Sequence, residues 1–168
     1  MAEAVAEWVI NILGGTPAWL KVIILAMMPI TEYQLAIPYA VEQFSFSPVA
    51  AYGLALVGSA ALFFPLFFGL ELLRSSLAKV CPPLLRPLDA FIARAERKLK
   101  DGYEKYGALA LFLFLVIPFP LTGIWTATTA AVVLKIPFRG AATGIFLGVL
   151  GGQGLVAALT VGLGLLFT

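Results

Sequence analysis

Glu32 is the residue whose chemistry first demands an explanation. It stands three positions after Pro29, inside an apolar block (residues 18–44), and residues 17–70 hold just two other charged side chains, Lys21 and Glu42. A carboxylate in such surroundings is costly unless it faces a cavity or a partner. Burial disfavours its charged form, which makes Glu32 a candidate proton carrier. A blander reading is that it caps a helix over 33–44 by accepting free backbone N–H groups. The two roles are compatible. Thr31 and Glu32 open one short helix after a break, and Thr122 and Gly123 open another. Where two helix N-termini converge, their free N–H groups and dipoles favour an anion. Tyr33, Gln34, Thr122, Thr126 and the indole N–H of Trp125 could add hydrogen bonds to a substrate. Alternatively these polar groups only satisfy the backbone freed by the breaks.

The surroundings of these residues follow from composition. Of 168 residues, 61% are apolar and 12% charged, with a mean hydropathy of +1.01. Soluble domains carry about twice that share of charge. Residues 106–168 hold two charges, Lys135 and Arg139. Apolar runs of this length need lipid around them. One cysteine, Cys81, excludes a disulfide within the chain, and the absence of histidine disfavours zinc or haem. No cofactor or metal is expected. Nothing has the pattern of a phosphate-binding loop, a nucleophile elbow or a nucleic-acid patch, so neither an enzyme nor a nucleic-acid partner is expected.

Four apolar blocks must position the chemistry: 18–44, 48–70, 107–134 and 137–167. The second and fourth can cross a hydrocarbon core of roughly 30 Å, which takes about 20 helical residues. The first is broken at Pro29 and again at Pro38, the third at Pro118 and Pro120. Each break leaves arms too short to span, which suits re-entrant hairpins. Irregular backbone at membrane depth must face protein or a wet cavity. The halves also correspond at an offset of 89 residues: Pro29 with Pro118, Pro48 with Pro137, and Ala51, Ala55 and Ser59 with Gly140, Gly144 and Gly148. Small residues four apart let helices approach closely. The stripe Gly140, Gly144, Gly148, Gly152 therefore reads as a helix-packing face, and a homodimer through a glycine-rich face is expected. Gln153 beside it reads as a bond across helices or a cavity lining.

Between the halves, residues 71–106 carry eight of the eleven basic side chains, and 88–100 reads as an amphipathic helix. The positive-inside rule makes this linker cytoplasmic. Re-entrant hairpins then also place Lys135 and Arg139 inside, whereas four plain spans would put them outside. The expectation is an all-α integral membrane protein. It is an inverted repeat of re-entrant helical hairpin plus transmembrane helix, with a basic amphipathic cytoplasmic linker. Its parts are an interfacial helix within 1–16, a first repeat over 17–70, the linker 71–106 and a second repeat over 107–168. Trp8 suits a helix lying in the interface. No cleaved signal peptide is expected, because Glu3 and Glu7 precede any basic residue.

Two stretches carry a family resemblance: Pro29-Ile-Thr-Glu32-Tyr-Gln-Leu-Ala-Ile-Pro38 and Ile117-Pro-Phe-Pro-Leu-Thr122-Gly-Ile-Trp125-Thr126. They resemble the paired motifs of the small multidrug export family, which looks like a branch of the DedA (VTT) superfamily of membrane proteins. The resemblance covers roughly residues 18–160. It implies two re-entrant hairpins, each followed by a membrane helix, in the cell's cytoplasmic membrane. It also implies transport, with protons, membrane lipids and an amphiphilic or polyprenyl-phosphate-like substrate as partners. Proton coupling through acidic hairpin residues is suggested for such relatives, and lipid scrambling for others. Gln34 departs from the pattern, since an Arg is expected two residues after the Glu. Without that cation the hairpin offers a phosphate less. A drug/proton antiporter of four plain spans, and a lipid-organising protein without coupled transport, are the rival readings.

Overall fold

A computed structural model describes residues 2–80, 103–117 and 123–166, with positions 83, 87, 89, 90, 93 and 94 between them. Among these residues all regular structure is helical: α1 (Ala2–Ile12), α2 (Ala18–Met27), α3 (Glu32–Glu42), α4 (Pro48–Val80), α5 (Tyr103–Val116), α6 (Ile124–Val133) and α7 (Phe138–Leu166). Of the predicted amphipathic helix over 88–100, positions 89, 90, 93 and 94 are described and helical; the rest of it, and residues 118–122, lie outside the described residues.

Proline chemistry sets the breaks. Met28 precedes Pro29 and is extended (φ −80°, ψ 143°), which ends α2 after ten residues. Ten residues rise about 15 Å, half of a hydrocarbon core. α4 starts with Pro48 at its first position, behind Ser47, whose hydroxyl accepts the N–H of Ala50 at 3.2 Å. Two turns share a device. After α3, Ser45 takes a φ of 55°, and after α6, Lys135 takes the same value. The following residues bond back, Phe46 N–H to the Ala40 carbonyl and Ile136 N–H to the Ala131 carbonyl, both at 2.9 Å.

α4 and α7 are the two helices long and apolar enough to cross a membrane, with mean hydropathies of 2.0 and 1.8 over their most apolar windows. α2 and α3 pack on each other and on α4; α5 lies along α7, and α6 packs on α4, α5 and α7. One core cluster joins α2, α3 and the start of α4 through Val22, Leu25, Tyr33, Ile37, Ala51 and Ala55. The other joins α4 to α7 through Phe63, Leu115, Ile124, Ala127, Ile145 and Val149. Phe138 seals the crossing of α4 and α7, its ring edge-on to Phe67 (5.4 Å between centroids) and stacked on Phe68 (5.5 Å). Outward, Val49, Phe64, Leu109, Leu147 and Leu159 are exposed, an apolar surface fit for lipid.

The glycines show which helices touch. A Cβ on Gly144 would strike the backbone of Ala108, and one on Gly148 would lie 2.7 Å from the Leu115 Cβ. One on Gly152 would strike the Leu115 carbonyl and come within 2.9 Å of the Tyr33 hydroxyl. These approaches seat α5 against α7 within a single chain. Gly140, Gly144, Gly148 and Gly152 are therefore a helix-packing stripe that the chain itself buries. α4 likewise runs to Val80, ten residues past its apolar block, so the first part of the linker continues a membrane helix.

Candidate functional site

Thr31, Glu32 and Tyr33, three neighbours at the first break, are all buried. Each points to a different helix end. The Thr31 hydroxyl donates to the Leu25 carbonyl at 2.6 Å, near the end of α2, where that carbonyl also accepts the Met28 N–H at 3.3 Å. The Tyr33 hydroxyl donates to the Leu115 carbonyl at 3.2 Å, at the end of α5. Gln34, half-buried, hydrogen-bonds the same hydroxyl. Glu32 itself has a φ of 42°, which turns the chain sharply between Thr31 and α3.

The carboxylate of Glu32 reaches the other break. It accepts the backbone N–H groups of Ile124 and Trp125, the first two residues of α6. Gly123 makes this possible, because the space its Cβ would fill holds the Glu32 carboxyl group. Trp125 returns the contact: its indole N–H donates to the Met27 carbonyl at 2.8 Å, at the end of α2. Thr126, exposed on the first turn of α6, accepts the Gly123 N–H at 3.1 Å and donates to the Gly123 carbonyl at 2.9 Å. The two tips are thus clasped reciprocally, each capping a helix end of the other. No cation pairs with Glu32 among the described residues.

Of the residues expected at the site, the structure brings Glu32, Gly123 and Trp125 into direct contact. Thr31, Tyr33 and Thr126 are chain neighbours of these residues, and Gln34 bonds the Tyr33 hydroxyl. Thr122 lies outside the described residues. Two expectations change. Glu32 caps α6 instead of its own helix. The two N-termini do meet, yet the N–H groups that were to await a substrate anion are taken by the protein's own carboxylate. Sequence reasoning missed the Met27 and Leu115 carbonyls, which carry no side-chain signal. It also left open the role of Gln153, whose amide N–H donates to the Ser59 hydroxyl at 2.8 Å and ties α7 to α4 in the buried core.

The family model described as "Putative small multi-drug export protein" matches residues 32–153, a stretch that begins at Glu32, spans α3 to α6 and ends within α7. The chain belongs to this family. No significant match was found among curated proteins or among solved structures. Within this small multi-drug export family member, the matched stretch contains Glu32, Gly123, Trp125, all of α5 and the part of α7 that carries Gly140, Gly144, Gly148 and Gly152. Membership and the two long apolar helices agree on a membrane protein of an export family.

Proposed function

We propose that the chain is a proton-coupled membrane exporter of the DedA type, with the clasp between the tips as its moving part. In this reading α2–α3 and α5–α6 are re-entrant hairpins of an inverted repeat in the cytoplasmic membrane, and the basic linker is cytoplasmic. The short paired helices, the matching left-handed turns at Ser45 and Lys135, and the buried stripes on α4 and α7 support the repeat. The observation that carries the mechanism is the buried Glu32 carboxylate on the N-terminus of α6, with no cation paired to it among the described residues. As a carboxylate it makes charge-assisted bonds to two N–H groups. On taking up a proton it loses that charge, the clasp weakens, and the tips can part. The freed N–H groups then receive the polar group of an amphiphilic or phosphate-bearing substrate, and loss of the proton closes the tips again. The O–H bond that Glu32 gains and loses with its proton is the one covalent change the cycle needs.

Flux in proteoliposomes under an imposed pH gradient tests this. Glu32→Gln keeps an acceptor but cannot exchange a proton, and its pH-driven flux is expected to fall at least about tenfold, the scale of losing one charge-assisted contact. Undiminished pH-driven flux in this variant would overturn the role. A second reading has its own support: the same lone carboxylate, with Gln34 in place of a cation, suits a positively charged amphiphile exchanged for protons. A lipophilic phosphonium probe would then be carried and an isoprenoid phosphate would not.

A further inference from the structure

A second charged feature lies away from the tips, where α4 passes the turn into α7. A cleft of about 270 Å³ there is lined by Glu71, Arg74, Lys135, Pro137 and Phe138 among others. Arg74 and Lys135 both converge on one carboxylate oxygen of Asp89, Lys135 at 2.9 Å. Lys135 owes its position to the left-handed turn that ends α6. Both cations meet the same Asp89 oxygen, although a guanidinium fork matches two. Among the described residues, the Nε of Arg74 is buried and has no hydrogen-bond partner. An unmet donor of a cation marks a place where an oxygen of a ligand would be favoured. The floor of the cleft is apolar, from Phe67, Val132, Ile136 and Phe138. The apolar run of α4 ends at Leu70, directly before Glu71, so the cleft stands where hydrocarbon gives way to headgroups.

We infer that this cleft binds the phosphate of an anionic phospholipid headgroup, with Asp89 as a built-in competitor for Arg74 and Lys135. A phosphodiester presents two oxygens, enough to engage the Arg74 Nε that Asp89 leaves unmatched and to keep Lys135. Glu71 on the rim opposes a second negative charge, which selects a monoanionic diester over free phosphate dianion. The acyl chains leave along the apolar floor into the membrane. The site is independent of the tips, and its test does not involve transport.

Short-chain phosphatidylglycerol and phosphatidylcholine are titrated against the detergent-solubilised full chain, with bound lipid counted by native mass spectrometry. Phosphatidylglycerol is expected to bind about tenfold more tightly, and Arg74→Gln to lose about that factor, the scale of one charge-assisted contact. Lys135→Gln serves as the second variant should the first fail to fold. Asp89→Asn removes the competitor and is expected to bind severalfold more tightly. Equal binding by wild type and both cation variants would overturn the site, and so would weaker binding by Asp89→Asn. Displacement of the lipid by inorganic phosphate at matching concentration would reassign the cleft to a soluble anion and sink the lipid assignment.

Discussion

Glu32 holds a backbone conformation that costs a non-glycine residue roughly 1–2 kcal/mol. The bonds its side chain makes to Ile124 and Trp125, and the bond from its own N–H to the Met28 carbonyl at 3.0 Å, hold it there. Gly123 is the complementary requirement. Gly123→Ala places a methyl group where the carboxyl group sits, so it is expected to destabilise by about 1–3 kcal/mol. Thermal unfolding in detergent measures this, and the loss should shrink in a Glu32→Ala background because the clash is then gone. Trp125→Phe keeps the ring and deletes the N–H to Met27; about 1 kcal/mol of stability is expected to go with it. These residue types were visible as candidates in the sequence. Their partners were not, because two of the acceptors are main-chain carbonyls and the third feature is the absence of a Cβ.

At the scale of elements, length and proline placement decide most of the architecture. Breaks at Pro29 and in the segment before Gly123 leave helices of ten to fourteen residues, while α4 and α7 run long. If α2–α3 is re-entrant, its two ends share one face of the membrane. Single cysteines at Thr16 and Ser47 in a Cys81→Ser background are then expected to react with an impermeant thiol reagent from the same side; labelling from opposite sides would require plain spans. The seam between α5 and α7 rests on close backbone approach. Gly148→Leu drives a side chain into Leu115 and the backbone of Phe112, and is expected to cost several kcal/mol or prevent folding, judged by monodispersity and thermal unfolding. The small-residue spacing showed that a helix approaches this face. It could not show that the helix comes from the same chain, since a neighbouring copy would satisfy the same packing rule.

Across the whole molecule, Asp89 links the middle of the chain to both halves, bonding Arg74 at the end of α4 and Lys135 at the turn before α7. The Lys135 hydrogen bond first, and the Arg74 charge after it, hold the Asp89 carboxyl below its ordinary value of 3.8. A lowered folded-state value means that the ion bridge contributes fully above the ordinary carboxylate range and is lost as the pH falls through the folded value. The contribution is small, because Asp89 is open to solvent and screened. Thermal midpoints of wild type and Asp89→Asn are expected to differ slightly at neutral pH and low salt, and to converge as the pH drops below 3.8 or salt rises. Arg74 and Lys135 also line the proposed headgroup cleft, so lipid occupancy and this bridge should oppose each other.

Hydropathy, the scarcity of charge, the proline breaks and the small-residue stripes are local properties. By themselves they determined a helical membrane protein with two full-length helices and two interrupted blocks, and they singled out Glu32 inside one of those blocks. Which helix end Glu32 caps is a different kind of question. Its carboxylate could satisfy any free N–H within reach, and residues 32 and 124 are brought together only when α3, α4 and α6 pack. The tertiary structure alone therefore decided that the anion expected at the N-terminus of α6 is the chain's own Glu32, because burial forces each open helix end to take the nearest partner the fold supplies.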